Sequence, residues 1–124
     1  MHILLIFLGG GLGAVSRWSL SVGVQSFAEK TALHRFPLGI LACNILGCFL
    51  IGCVFGHFTQ KHPAWVFPFL VTGFLGGFTT FSTFGKDTIE AFQDGFTTIA
   101  LANVLLSVTL SLGAVWGGMK LCGE

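Results

Sequence analysis

Charged residues are scarce in this chain. Six Lys and Arg and five Asp and Glu make up 9% of its 124 residues, whereas soluble domains carry about 25%. Such a chain has too little polar surface for a water-soluble fold, and its mean hydropathy of +0.86 indicates a membrane protein instead. The formal net charge of +1 indicates no nucleic-acid partner.

Cysteine pairs with the spacing of a metal or redox motif are also absent. The four cysteines are Cys43, Cys48, Cys53 and Cys122. The first three follow one another at five-residue spacing in one apolar run, which scatters them around a helix and makes no CxxC pair. We therefore expect buried thiols that pack as small hydrophobic side chains, rather than a metal site or a disulfide.

The chain has no pattern typical of a nucleotide site, of a nucleophile with its base, or of a catalytic metal cluster. His57 and His62 flank a loop, where we expect them at the membrane interface and not as ligands. We therefore expect that the protein is not an enzyme. The start of the chain lacks a basic segment and the following residues stay apolar, so we expect no cleaved signal peptide.

Long apolar runs are what the chain does contain. They cover residues 3–27, 36–56, 65–92 and 95–119. A hydrocarbon core of about 30 Å needs roughly 20 residues per helix, so the length accommodates these spans and no separate soluble domain. The sequence predicts an all-α membrane protein with a single four-helix transmembrane domain over residues 1–124.

The third apolar run contains the unusual stretch GGFTTFSTF, residues 76–84. Its two glycines and the hydroxyl-bearing residues after them weaken a helix in the middle of the membrane, so we predict that the third helix is broken. Non-helical backbone persists there only where it is buried or lines a cavity. Carbonyls freed by a break favour cations, and two oxygens from each of two copies would suit a small hard ion such as Na⁺.

The loop charges are balanced across the membrane. With four spans, Lys61 and Lys120 lie on one side, and Lys30 and Arg35 lie on the other. The positive-inside rule therefore selects no orientation. A chain without bias inserts both ways, and opposite copies can pair about a two-fold axis in the membrane plane. We therefore predict an antiparallel, dual-topology homodimer.

Several residues within the spans donate hydrogen bonds without carrying a charge. Asn103, Ser107 and Ser111 are spaced by four and share one helix face. Asn44 offers two N–H donors on the second span, and hydroxyls on the third come from Thr79, Thr80, Ser82 and Thr83. These groups either link helices or line a path for an anion, and the residues alone leave both interpretations open.

Phe81 and Phe84 lie three residues apart among these hydroxyls, so they share one helix face. An aromatic ring has a negative face and a positive edge. A ring that presents its edge can therefore meet an anion and help to replace water. The alternative is that both rings are ordinary packing residues.

The stretch GGFTTFSTF resembles the signature of the Fluc (CrcB) fluoride channel family. Two further stretches agree with it: GGGLGAVSRW, residues 9–18, and NILGCFLIG, residues 44–52. The resemblance covers all four spans and the order of the motifs. Departures are small: Phe78 stands where leucine is common, Asp87 stands where glutamate is common, and Gly85 and Lys86 follow the motif less typically.

The resemblance implies a fluoride-selective channel of the inner membrane that exports fluoride passively from the cytoplasm and so lowers its toxicity. It implies a lipid-embedded antiparallel homodimer with two pores, and a structural Na⁺ bound by the backbone carbonyls of Gly76 and Thr79. Arg17 would shape the electrostatics of the vestibule. The implied fluoride path is lined by Asn44, Thr80, Phe81, Ser82, Phe84, Ser107 and Ser111.

Two alternative functions come from other classes of protein. Small four-span proton-coupled multidrug exporters share the size and the dual topology, but they carry a membrane-embedded glutamate on the first span. This chain has no acidic residue before Glu29. A non-transporting scaffold subunit would explain the 18 glycines, but not a serine stripe beside paired rings.

Overall fold

The computed structural model describes residues 1–123 and is helical along most of that length. We number its helices in chain order. They are α1 (His2–Ala28), α2 (Leu38–His57), the π-helical α3 (Val66–Leu75), the short α4 (Gly76–Phe78), α5 (Phe81–Gln93) and α6 (Thr97–Cys122).

Four segments of the described chain are long and apolar enough to cross a membrane. They are His2–Ala28, Leu38–His57, Val66–Gln93 and Thr97–Cys122. Each begins and ends within three residues of the span predicted from the sequence. The prediction of an all-helical protein with four spans is therefore confirmed.

Two pairs of spans pack with their backbones in contact. The first pair is α1 against α3. A Cβ added at Gly9 would meet the backbone oxygen of Phe69, and one at Gly13 would meet that of Phe74. In the other pair, α2 against α6, a Cβ at Gly52 would meet the Val115 oxygen. Helices in membranes associate through such small residues, so glycines set which spans are neighbours.

The side chain of Gln25 fixes the connection between α1 and α2. Its Nε2 donates to the Phe36 carbonyl at 3.0 Å, and its Oε1 accepts from the Gly39 N–H at 3.1 Å. The second bond satisfies an N–H of the first turn of α2, which has no partner within the helix. The amide therefore ties the end of α1 to the beginning of α2.

The third span contains a non-helical dipeptide. Thr79 (φ −95°, ψ 153°) and Thr80 (φ −149°, ψ 116°) are extended, and α5 begins at Phe81. Gly76, in contrast, keeps helical angles (φ −62°, ψ −38°). The extended conformation thus falls on two β-branched residues, which favour it, and not on the preceding glycines.

Gly77 has a packing role in place of a conformational one. A Cβ at this position would lie 2.5 Å from the Gly10 carbonyl oxygen of α1. Gly76 differs, because the nearest atom to its added Cβ is Val71 O at 3.6 Å, within its own span. Only the second glycine of the motif is therefore required for packing inside one chain.

The surface of the bundle is strongly apolar. Phe7 is 75% exposed, Leu112 is 66% exposed, and the buried cluster around Val54, Val66 and Leu75 is small. In water this distribution would be unfavourable. In a membrane the same side chains face lipid or another protein.

Candidate functional site

The side chain of Asn44 holds the extended dipeptide in place. Its Oδ1 accepts from the Thr80 N–H at 2.8 Å, and its Nδ2 donates to the Thr80 carbonyl at 3.1 Å. An asparagine amide carries two N–H donors, so one remains for another acceptor. Gly47, one turn further along α2, leaves space for Thr79, because a Cβ there would meet Thr79 Cγ2.

Threonine hydroxyls bond to the backbone on both sides of the dipeptide. Thr79 Oγ1 donates to the Leu75 carbonyl at 3.0 Å. Thr80 Oγ1 accepts from the Thr83 N–H at 3.2 Å and thus caps α5. Such a cap satisfies one of the N–H groups that have no partner in the first turn.

Four carbonyls, those of residues 76–79, lose their helical partners at this point. In a continuous α-helix each C=O accepts from the N–H four residues later. In a continuous helix the Thr80 N–H would donate to the Gly76 carbonyl, but here it donates to Asn44 Oδ1. The Thr83 N–H would likewise donate to the Thr79 carbonyl, but here it donates to the Thr80 hydroxyl.

The intervening Gly77 carbonyl is bound by a cation of the protein itself. Arg17 Nη1 donates to it at 3.0 Å across the contact between α1 and α4. Arg17 therefore lies against the interrupted span. The vestibule role that the resemblance implies for it stays a prediction.

A cavity of about 310 Å³ lies between the non-helical dipeptide, α2, α5 and α6. Six of the seven predicted path residues line it, together with four others. The full lining is Asn44, Cys48, Thr79, Thr80, Phe81, Phe84, Ser107, Val108, Ser111 and Leu112. Ser82 is not part of the lining; it is exposed, and its hydroxyl lies 3.2 Å from Thr80 Oγ1.

The two predicted aromatic residues contact each other at this cavity. The ring centroids of Phe81 and Phe84 are 5.5 Å apart, and the ring planes are tilted by 47°. Phe84 is half-buried, whereas Phe81 is 84% exposed. A single chain therefore leaves one wall of the cavity uncovered.

A buried chain of hydrogen bonds connects the cavity wall on α6 to the backbone of α5. Ser107 Oγ donates to Asn103 Oδ1 at 3.2 Å, and Asn103 Nδ2 donates to Thr88 Oγ1 at 2.9 Å. Thr88 Oγ1 in turn donates to the Phe84 carbonyl at 2.7 Å. Asn103 is only 2% exposed, so its amide has no access to water as an alternative partner.

Sequence reasoning grouped Asn103 with the serine stripe but did not single out Thr88 or Cys48. Each lies four residues after a predicted path residue, Phe84 or Asn44 respectively. Residues at that spacing share a helix face. This spacing is the signal that would have identified both.

A second cavity, of about 480 Å³, lies at the end of the bundle where loop residues 35–37 meet α5. Its charged lining residues are Arg35, Asp87, Glu90 and Asp94. The Arg35 guanidinium lies 4.3 Å from the ring centroid of Phe96. Next to this cavity, Lys86 Nζ pairs with Asp87 at 3.1 Å and with Glu90 at 3.0 Å, so carboxylates offset its charge.

Comparison with known proteins identifies the family. The profile of the family described as CrcB-like protein, Camphor Resistance (CrcB), matches residues 4–119. The chain belongs to the CrcB family.

Curated relatives of this CrcB chain carry the name Fluoride-specific ion channel FluC. The Solibacter usitatus protein is 45% identical over 124 residues, which cover 98% of each chain. The Serratia proteamaculans protein is 42% identical over 113 residues, or 89% of this chain and 84% of the relative. The Paracoccus denitrificans protein is 42% identical over 114 residues, or 92% and 88% respectively.

These matches confirm the resemblance found in the sequence motifs. Because the CrcB relatives are named ion channels, the expectation that the chain is not an enzyme is also confirmed. Four membrane-spanning helices make it a multi-pass membrane protein. In a bacterium this places it in the inner membrane.

Proposed function

We propose that this CrcB chain is a fluoride-selective channel through which fluoride leaves the cytoplasm passively. The observation that carries the proposal is the cavity of about 310 Å³ beside the extended Thr79–Thr80 dipeptide, where neutral hydrogen-bond donors meet two aromatic rings. The names of the relatives, which are 40–45% identical over most of the chain, support the same function.

Neutral donors suit this ion. Fluoride is small and strongly hydrated, so a narrow path must replace its water with closely spaced donors. The second Nδ2 hydrogen of Asn44 and the hydroxyl of Ser111 are such donors, and ring edges add a weaker attraction. The Ser107 hydroxyl donates to Asn103 Oδ1 and would have to turn from it to reach the ion. The lining of this cavity within residues 1–123 contains no charged side chain, so nothing there would hold the anion too tightly to release it.

The membrane potential provides the driving force. A negative interior drives an anion outward with about 2.3 kcal/mol per charge per 100 mV. Fluoride that enters the cell as the neutral acid and then dissociates would leave through such a channel without ATP or a coupling ion.

We propose further that the working unit is an antiparallel dual-topology homodimer with two pores. The balanced loop charges support it. The 84% exposure of Phe81 supports it as well, because one chain leaves its cavity open on that side. The free space around Gly76 would permit the approach of a second copy at the interrupted span.

The same segment fits a structural Na⁺. The carbonyls of Gly76 and Thr79 have lost their α-helical donors, and Arg17 binds one of the two carbonyls between them, that of Gly77. Carbonyls of interrupted membrane helices bind such ions. When bound, Na⁺ would neutralise carbonyl dipoles that the two copies bring together, and we assign it no part in fluoride movement.

The alternative functions lack this support. Helix α1 (His2–Ala28) contains no acidic residue to couple transport to protons. A scaffold subunit requires no cavity with a serine stripe and paired rings.

Liposomes that contain the purified protein distinguish all three functions. A K⁺ gradient with valinomycin sets the potential, and an electrode records the released anion. We expect release of fluoride and not of chloride. Release of neither ion from a folded dimer would indicate a scaffold, and proton-driven uptake of organic cations would indicate an exporter.

A further inference from the structure

Two cysteines that are far apart in the sequence meet in the fold. Cys53 lies on α2 and Cys122 is the last residue of α6, 69 positions later. Their sulfurs are in direct contact. Both are half-buried free thiols. The sequence predicted thiols that pack as small side chains, and it did not predict that two of them touch.

Glycine packing on both sides brings these cysteines together. A Cβ at Gly56 would lie 2.7 Å from the Met119 carbonyl oxygen, and one at Gly52 would meet the Val115 oxygen. A Cβ at Gly118 would meet the Phe49 oxygen from the opposite helix. The backbones of α2 and α6 therefore already touch at this level, and joining the side chains requires little backbone movement.

We propose that Cys53 and Cys122 are an oxidisable dithiol that closes to a disulfide between α2 and α6. The oxidant is itself a disulfide, either of a thiol oxidase or of oxidised glutathione. One cysteine thiolate attacks a sulfur of the oxidant and releases one of its thiols, which leaves a mixed disulfide. The second thiolate then displaces the other oxidant thiol. The oxidant gains two electrons and the two protons that the cysteines lose.

The pair lies where such an oxidant can reach it. Cys53 is four residues before the end of α2 at His57, which is about 6 Å along a helix. Cys122 ends α6. Both are therefore at the boundary of the spans, on the side of the chain termini. Cys43, in contrast, is fully buried.

Because the pair lies near the chain termini, its oxidation depends on which side of the membrane the termini face. This step rests on the proposed dual topology. The end with Cys53 and Cys122 faces the periplasm in one copy and the cytoplasm in the other. Disulfides persist in the oxidising periplasm and are reduced in the cytoplasm. We therefore infer that only the copies whose termini face outward carry the disulfide, which amounts to half of the chains.

The pair is tested on the purified, reduced full-length protein in detergent, before reconstitution into liposomes, so that oxidised glutathione reaches both ends of every chain. After treatment with oxidised glutathione, free thiols are alkylated and peptides are mapped by mass spectrometry. We expect a loss of two free thiols per chain, a linked Cys53–Cys122 peptide and a higher midpoint of thermal unfolding, because the bond closes a long loop. Cys53→Ala and Cys122→Ala should each abolish the linked peptide. A stable glutathione adduct on Cys122, or a disulfide between chains, would overturn the proposal.

The orientation step has its own readout. Cells are treated with a membrane-permeant maleimide before lysis, and the linked fraction is measured for variants whose topology is fixed by added loop lysines. We expect the link only when the termini face outward. Equal linkage in both variants would overturn the orientation step. The oxidation of the purified protein would still test whether Cys53 and Cys122 form a disulfide. Fluoride efflux from the same liposomes tests the proposed channel separately, and we expect the disulfide to leave it unchanged.

Discussion

Asn44 and Thr80 are joined by two reciprocal hydrogen bonds, with Thr80 N–H donating to Asn44 Oδ1 at 2.8 Å and Asn44 Nδ2 donating to Thr80 O at 3.1 Å. One side chain thereby satisfies both backbone groups of an extended residue inside a membrane span. The amide also keeps one N–H for the adjacent cavity. Because Nδ2 supplies both the bond to the Thr80 carbonyl and the remaining N–H, a substitution that removes this nitrogen tests the two roles together.

Asn44→Asp keeps an acceptor for the Thr80 N–H but removes both donors and adds negative charge beside the path. We expect fluoride efflux to fall by about ten- to hundredfold, since a hydrogen bond to an ion contributes about 1.5–3 kcal/mol. Asn44→Leu should in addition lower the thermal stability, because it leaves both Thr80 groups without partners. Efflux and thermal unfolding are measured on the same preparations. Normal efflux in Asn44→Asp would remove this residue from the path.

The ring pair can be tested by replacing aromatic with aliphatic side chains. Phe81→Ile and Phe84→Ile should each cut fluoride flux sharply while the folded dimer survives, because an aliphatic group has no positive edge for an anion. Phe7→Ile, an exposed position outside the cavity, serves as the control and should conduct normally. Wild-type flux in both test variants would assign the rings to packing.

The two glycines of the motif should differ in what they disrupt. Gly76→Val should prevent dimer assembly but leave the single chain folded, because inside one chain its added Cβ meets only Val71 O at 3.6 Å. Gly77→Val should destabilise the chain itself against Gly10. Thr79→Ser keeps the hydroxyl bond to Leu75 and should be mild. Crosslinking yield and thermal unfolding, each with and without Na⁺, measure these effects; a Gly76→Val protein that dimerises normally would contradict the sodium proposal.

The buried series of hydrogen bonds from Ser107 to Phe84 predicts a role for Thr88. Thr88→Val leaves the Asn103 amide without its acceptor, so we expect a loss of about 1–3 kcal/mol in unfolding free energy. We also expect lower fluoride efflux, because the Phe84 backbone and the Ser107 hydroxyl lose their common link. Thr88→Ser keeps the hydroxyl and should restore both properties. If Thr88→Val matched the wild type in stability and efflux, these buried hydrogen bonds would have no function in the site.

Added lysines in the loops should fix the orientation of a copy, because the wild-type loop charges are balanced. A variant locked in one orientation should lose fluoride export alone and regain it when expressed with its opposite. Growth of a strain without its own channel, in fluoride at low pH where the neutral acid is abundant, gives the measurement. Normal export by one locked variant alone would rule out the antiparallel dimer.

The sequence by itself determined the four spans, because long apolar runs are a local property that the membrane thickness selects directly. Its motifs also identified the family, and they named six residues that the fold brings to one cavity. Whether those residues bind fluoride stays a prediction.

Only the tertiary structure decided which residues that are distant in the sequence contact one another. It placed Asn44 on Thr80, Asn103 on Thr88 and Cys53 on Cys122. It also assigned the extended conformation to the threonines and the close packing to Gly77. These contacts depend on how the helices cross and how near their backbones come, and apolar periodicity along the chain carries no information about either.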